Sequence, residues 1–384
     1  MAQIISPISI MCFMSHFEVK GKLAGRGRTG ILHTPHGDLT TPVFMPVGTN
    51  ATVKSLSPAD LESIHAQIIL ANNYHLYLRP GSKNIKALGG LHCFMNWPHP
   101  LLTDSGGYQI FSLNPTISDQ GVEFTSRLDG SKHFFTPQIA TASQVHIGAD
   151  IIMALDVCTP DQASLSQAEK DLSLTQNWLV RCAAVPHPHQ ALFGIVQGGS
   201  HKSLRQAAAK FVVDQNLPGI AVGGETIGYN MDGTEEVMSW IENLLPENKP
   251  RYAMGLGLRP SDLVRAVKIG FDMFDCVAPT RLARNGALYV SPRLSQNERI
   301  DISKSQYKLD QAPIDPSCDC PTCARFTRAY LHHLFKCKEL LFYRLASLHN
   351  LRTMIRTVEN LACQLKTTVK STPDSPNVLS TTDS

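Results

Sequence analysis

Short apolar runs rich in Val, Ile, Leu, Phe and Met recur along the chain, and most stop at a polar residue or a glycine. They are TPVFMPVG (41–48), AQIILANN (66–73), PLLTDSGG (100–107), DIIMALD (150–156), LFGIVQGG (192–199), GIAVGGE (219–225), RYAMGLG (251–257) and FDMFDCV (271–277). Between most of them lie stretches with helical punctuation. Pro137 to Ile147 opens with Thr136 as N-cap and Pro137 at the first helical position; Ser203 to Asp214, Met231 to Leu245 and Pro260 to Ile269 are the others. Continuous apolar strands alternating with helices mean an α/β fold with a parallel sheet covered on both faces. Eight repeats within about 250 residues predict a (β/α)8 TIM barrel rather than an open doubly wound sheet.

The longest gap, after the third run, holds VEFTSRLDGSKHFFTP (122–137), two strand-like runs around Asp129-Gly130. This predicts a hairpin inserted at the barrel mouth. After Asn285 the pattern becomes irregular, passes through CDCPTC, and resumes as helix-like segments from Ala324 to His349 and from Leu351 to Lys366. The expected division is a barrel over 17–285 and a C-terminal zinc-binding subdomain over 286–366. Residues 1–16 and 367–384 are expected to be disordered, the latter being mostly Ser, Thr, Pro and Asp.

Of 384 residues, 43% are hydrophobic and 17% charged, enough to bury a large core. No apolar run approaches the roughly 18 residues of a membrane span, and Met1 to Met14 lacks the basic region of a signal peptide. A cytoplasmic location is expected. Six of the ten cysteines are scattered singly, whereas Cys318, Cys320, Cys323 and Cys337 fall close together, which points to a metal rather than disulfides. Net charge is +3 but uneven: residues 251–384 hold 19 Lys/Arg against 12 Asp/Glu, leaving 16 (35 − 19) against 20 (32 − 12) before them. That asymmetry hints at a polyanionic partner.

Cys318, Cys320 and Cys323 place three thiolates within six residues, a donor set that favours zinc. A closed tetrahedral site needs a fourth ligand, and spacing leaves His332, His333, Cys337 and His349 as candidates. Four protein ligands would make the ion structural rather than catalytic.

In a barrel, the C-terminal strand ends line the mouth where chemistry is done. Here they carry Asn72, Asp104, Asp156, Gln197, Gly224 and Asp275. Any one aspartate alone reads equally well as a helix cap, but several together are costly beside a core unless something uses them. TDSGGYQ (103–109) adds Gly106 and Gly107, which admit close backbone approach, and Tyr108, an aromatic able to stack on a flat ring. Asp156 and Gln197 suit a purine-like edge, one accepting from N–H groups and the other donating to a carbonyl. Two carboxylates about a sugar-linked base support double displacement, one as nucleophile and one as acid/base. Arg281 and Arg284, just past Asp275, suit flanking phosphates.

Together these motifs resemble the tRNA-guanine transglycosylases, the queuine tRNA-ribosyltransferase family, in its bacterial form. The resemblance runs from about Phe17 to about Asn350 through TPVFMPVGTNATVK (41–54), YHLYLRPG (74–81), LLTDSGGYQIFSL (101–113), GIVQGG (194–199), MFDCVAPTR (273–281), ARNG (283–286), CDCPTC and TRAYLHHL (327–334). It implies a homodimeric barrel enzyme acting on tRNAs with a GUN anticodon. Asp275 would attack ribose C1′ of the wobble guanosine, and a 7-deazaguanine base would then displace it. Asp104 matches the general acid/base. Asn72, Ser105, Gly106, Gly107, Tyr108, Asp156, Gln197, Gly223, Gly224 and Met254 match the base-binding positions, and Gly255, Arg259, Thr280, Arg281 and Arg284 the tRNA-contacting ones. The family's zinc histidine aligns with His349, giving one structural Zn2+ per subunit held by Cys318, Cys320, Cys323 and His349.

The chain departs from the family pattern in places. Asp156-Val157-Cys158 stands where Asp-Glu-Cys is usual, and GGETIGY (223–229) where a loop like GGLAVGE is usual. Glu225 and Tyr229 are expected to alter which 7-substituent is accepted, 7-aminomethyl-7-deazaguanine or queuine; bulky Ile227 argues against the larger base. MGLGLRP (254–260) is one residue longer than usual, and Met14 is a candidate initiator. Two other functions remain to be weighed: a non-catalytic tRNA-binding partner subunit, and a zinc nucleotide hydrolase, which would need an open metal position at the barrel mouth.

Overall fold

The computed structural model describes residues 15–369. Its largest sheet is parallel and closes into a TIM barrel. The strands are Val43–Met45 with Val47–Gly48, Ile69–Asn72, Leu101–Asp104, Ile151–Met153, Ala191–Val196, Gly219–Val222, Arg251–Ala253 and Met273–Asp275. All eight apolar runs become barrel strands. The first is split at Pro46, which has no N–H to give the ladder. Val43–Met45 pairs with the eighth strand, and Val47–Gly48 with the second, so the two pieces close the ring.

Side chains alternate across the wall. Met45, Leu70, Leu102, Ile151, Met153, Phe193, Ile195, Ala221, Tyr252 and Met273 pack inside the barrel. Phe44, Ile69, Ala71, Ile152, Leu192, Val196, Ile220, Val222, Ala253 and Phe274 belong to the core beneath the surrounding helices. The fifth and sixth strands show how tight the interior is. Phe193 pairs with Gly219, where a Cβ would lie 2.2 Å from the Phe193 ring.

The expected helices form with small changes of boundary. Thr136 caps Pro137–Ile147, accepting from Ile139 N at 3.1 Å. Lys202–Asp214 and Pro260–Lys268 follow their strands, and Met231–Ile241 ends in a short 3-10 turn over Glu242–Leu244. The hairpin also forms, with Gly121–Thr125 antiparallel to Lys132–Phe135 and a third strand, Thr116–Ser118, beside them.

Two features differ from expectation. Residues before the first barrel strand form a three-stranded antiparallel sheet, Phe17–Lys22, Arg28–Thr34 and Gly37–Thr41. Phe17, Leu32 and Leu39 join the interior cluster, so this sheet plugs the barrel's N-terminal end. It is pinned there by Asp272, which accepts from Arg28 Nε at 2.9 Å and Nη2 at 2.7 Å, and from Arg251 N. Asp150 holds a second point, taking His36 Nδ1 at 2.7 Å and Leu101 N at 2.8 Å.

The second difference lies near the C-terminus. The expected break between His349 and Leu351 does not occur: Leu340–Val369 is one helix. The break falls earlier, at Lys338, with φ +56 between Arg328–Lys336 and the long helix. The long helix packs on Pro260–Lys268, Ala278–Arg284 and the first strand, completing the barrel's outer layer. The expectations for the termini fall mainly on 1–14 and 370–384, outside the described residues. No helix among the described residues is long and apolar enough to cross a membrane.

Candidate active site

The C-terminal strand ends surround a cavity of about 580 Å³. Its lining includes Asn72, Asp104, Ser105, Gly106, Tyr108, Asp156, Gln197, Gly223, Gly224, Met254, Gly255 and Asp275. Twelve residues named from the sequence thus converge on one space. Gly107 does not line it: a Cβ there would press on Leu155 and the Asp156 carbonyl, so it packs beneath the site. Arg259, Thr280, Arg281 and Arg284 also lie outside the lining, on the helix-bearing segments next to it.

Asp104 ends the third strand and Asp275 the eighth. Asp104 accepts from Asn72 Nδ2 at 2.5 Å and from Asn73 N at 2.9 Å. Burial nonetheless pushes it up to about 7, with the nearby Asp275 charge adding to the rise against these donors. Asp275 accepts from the Tyr252 hydroxyl at 2.5 Å and from Gly255 N at 2.7 Å. Burial raises it too, while those two donors favour its ionised form. The two carboxyls thus sit in unlike environments: Asp104 is poised to exchange a proton near neutrality, while Asp275 is raised by burial against two donors that favour its ionised form.

Asp156 is pushed up to about 6 by burial, although Gln197 Nε2 donates to it at 2.6 Å. At neutral pH it is chiefly an acceptor facing the cavity. Cys158 and Cys276 also line the space, but burial pushes both thiols up to about 12. Neutral thiols are poor nucleophiles. Tyr108 and Tyr229 stand at the rim, 62% and 68% exposed, and present aromatic faces to anything entering.

The departing loop forms one wall. Glu225 accepts from Asp161 N at 3.1 Å, and the Thr226 hydroxyl donates to the Asp161 carboxylate. Ile227 is buried and lines the cavity. Gly228 has φ +84, and a Cβ there would come within 2.7 Å of the Gly255 carbonyl oxygen and of Leu256 Cα. Only glycine permits this approach between the two loops.

The metal candidates are settled by position. Cys318, Cys320, Cys323 and His349 bring four ligand atoms within 4.8 Å of one another. His349 Nε2 lies 2.6 Å from the Tyr289 carbonyl, which fixes Nδ1 toward Cys323 Sγ at 3.3 Å. His332 instead meets the Ile302 carbonyl, and exposed His333 and Cys337 meet each other. Three thiolates and one imidazole suit a closed tetrahedral zinc site. None of the four lines the cavity.

A sequence model of the queuine tRNA-ribosyltransferase family matches residues 24–367. The chain belongs to that family. Among curated proteins of that name, the one from Herpetosiphon aurantiacus is 52% identical over 338 residues, covering 87% of this chain and 85% of its own. That from Halothermothrix orenii is 49% identical, covering 89% and 91%, and that from Caldanaerobacter subterraneus subsp. tengcongensis 47%, covering 91% and 93%. The chain is thus a pentosyltransferase-family enzyme by sequence.

Sequence reasoning missed Tyr252. Its hydroxyl reaches Asp275 from the neighbouring strand, while its ring fills the barrel interior. The available signal was a tyrosine in a run otherwise free of polar side chains after Arg251, because a buried hydroxyl needs a partner. Asn73 and Cys276 were also passed over, and nothing in their spacing marks them.

Proposed function

We propose that the protein replaces guanine at wobble position 34 of tRNAs with a GUN anticodon by a 7-deazaguanine base. The observation that carries this reading is the pairing of Asp104 and Asp275 across one cavity in unlike environments. Asp275, aimed by Tyr252 and Gly255, attacks ribose C1′. The C1′–N bond breaks, its electron pair leaves with guanine, and protonated Asp104 supplies the proton the base takes up. Asp275 is then esterified to the ribose. In the second half the incoming base gives its ring proton to Asp104, attacks C1′ and expels Asp275, restoring both groups.

Asp156, Gln197 and the Gly223-Gly224 backbone would read the base edge, and Tyr108 would stack on its face. Gly255, Arg259, Thr280, Arg281 and Arg284 would hold the flanking RNA, in line with the excess of basic residues in this part of the chain. Zinc bound by Cys318, Cys320, Cys323 and His349 would hold the segment after the barrel and take no part in the chemistry. The working unit is a homodimer on this reading.

Incubation with substrate tRNA and a base analogue, followed by denaturing electrophoresis, tests the reading. A denaturation-resistant RNA–protein adduct is expected from wild type and none from Asp275→Ala. An adduct in that variant, or none in wild type under any condition, sinks it. The presence of both acids in the cavity weighs against a non-catalytic partner subunit, and a cavity lining that includes none of the Cys3His residues weighs against a zinc hydrolase.

Which base is taken turns on the loop from Glu225 to Tyr229. Glu225 is fixed to Asp161 at the cavity wall, where its carboxylate meets an aminoalkyl substituent. Queuine is the second reading, favoured by the exposed position of Tyr229, which leaves the rim free for a larger group. Competition between 7-aminomethyl-7-deazaguanine and queuine decides it; clear preference for the smaller base ends the queuine reading.

A further inference from the structure

Arg205, in the helix after the fifth strand, is fully buried, and among the described residues no carboxylate hydrogen-bonds it. Its Nε donates to the Gly199 carbonyl at 2.8 Å, and its Nη1 to the carbonyls of Val196 at 3.0 Å and Gly223 at 2.7 Å. Nη2 has no hydrogen-bond partner among the described residues. It lies behind Gly224, where an added Cβ would be only 2.6 Å from it. Gln197 Oε1, 3.6 Å from the same point, is likewise unpartnered, and a Cβ at Gly223 would lie 2.8 Å from Gln197 Nε2. The guanidinium therefore sits directly behind the three residues that form one wall of the cavity.

A cation in this position is expensive. Burial pulls its guanidinium down to about 10, so it remains charged at neutral pH. The carboxylate whose charge bears on it, Asp161, spends one oxygen on Thr226 and has no hydrogen-bond partner for the other among the described residues. The helix compounds the cost: Arg205 is in its first turns, where the N-terminal dipole already favours negative charge. The three carbonyls it caps use Nε and Nη1, but folding gives no use to Nη2, which among the described residues is left without a hydrogen-bond partner behind the wall. Base exchange does. When the C1′–N bond breaks, the electron pair goes to the base and its charge spreads across the ring to the carbonyl oxygen. Preorganised positive charge at that edge favours the departing base most when the charge has developed.

Resting on the base-exchange reading, we propose that Arg205 is a positioning residue: it braces Gln197 and the Gly223-Gly224 turn against the carbonyl edge of the base, and its buried charge favours the base in anionic form. It acts through that wall, since it does not line the cavity.

The test compares wild type, Arg205→Lys and Arg205→Gln for binding of guanine and of 8-azaguanine, a base of nearly the same shape with a more acidic ring N–H. At a mildly alkaline pH 8-azaguanine is ionised and guanine is not. Relative to wild type, Arg205→Gln should lower the preference for 8-azaguanine about tenfold and slow adduct formation by about a hundredfold, the range for lost charge stabilisation. Arg205→Lys should weaken both bases yet keep the preference, because it removes the brace but not the charge. Melting curves and metal content identify an unfolded variant, and the lysine variant then carries the test. Equal weakening of both bases in Arg205→Gln, or loss of the preference in Arg205→Lys, overturns the proposal. Wild type that shows the preference but forms no adduct would instead overturn the base-exchange reading and leave the anion-favouring wall standing.

Discussion

Asn72 and Asp104 stand opposite each other on adjacent strands, and the amide of one donates to the carboxylate of the other. The barrel's register thus supplies one of the donors that hold back the rise burial imposes on its acid/base candidate.

A donor to the ionised carboxylate favours that form, so Asn72→Ala should raise Asp104 above its value of about 7. Adduct formation needs Asp104 protonated, and its rate should fall on the alkaline side of that value in wild type. In Asn72→Ala the alkaline limb should move to higher pH. A single-turnover pH profile reads both; an unmoved limb would mean that Asp104 does not govern it. Loss of the Asn72 cap on the following helix should cost roughly 1 kcal/mol of stability as well.

Tyr252→Phe keeps the ring that fills the barrel and deletes the donor to Asp275. Asp275 should rise further, because the hydroxyl favours its ionised form. Adduct formation should slow by about 10²-fold and its acid limb should shift upward. Unchanged tRNA affinity with a lower single-turnover rate supports this; an unchanged rate refutes it.

The barrel's other end makes a stability prediction. Hydrogen bonding to Asp150 raises His36 above its usual value despite burial. For Asp150, burial pushes upward, but His36 and His92 outweigh it and hold the carboxyl below its usual range. A raised histidine stabilises most below its unfolded value and loses that contribution as pH rises through the folded one. Asp150→Asn should therefore lower the melting temperature more at mildly acidic pH than above neutrality, at a cost of about 1–2 kcal/mol for the lost partner. A pH-independent deficit would contradict this.

Cys320→Ser or a strong chelator should take bound zinc from one per chain to near none and lower the melting temperature, since Cys320 is buried against His349. Adduct formation should fall only in step with the folded fraction. Lost chemistry in a protein that remains folded would move the metal into the mechanism. Metal analysis beside calorimetry measures both.

How much of this was legible follows from where the chemistry lies in the chain. Strand ends were legible where an apolar run stops at a polar residue, as Leu101–Asp104 and Met273–Asp275 do. The N-terminal sheet was not, because Phe17–Lys22 buries only Phe17 fully and carries no clean alternation. Its role exists only once Phe17, Leu32 and Leu39 meet the barrel interior. The long C-terminal helix was misread as two because His349 and Asn350 interrupt its apolar face. Both are buried and employed, His349 at the metal group and Asn350 accepting from Tyr289 N while donating to Pro279 and Ala287. Arg205 gave no signal, being one cation among many until its burial is known.

Gly228 touches the loop that gives Asp275 its backbone donor, and Gly228 belongs to the GGETIGY segment. On the reading that this loop selects the base and Asp275 attacks the ribose, selectivity and reactivity are mechanically joined. A lineage that remodels 225–229 to admit another base must also retune the nucleophile, so its neighbours at 255–257 should change in the same steps.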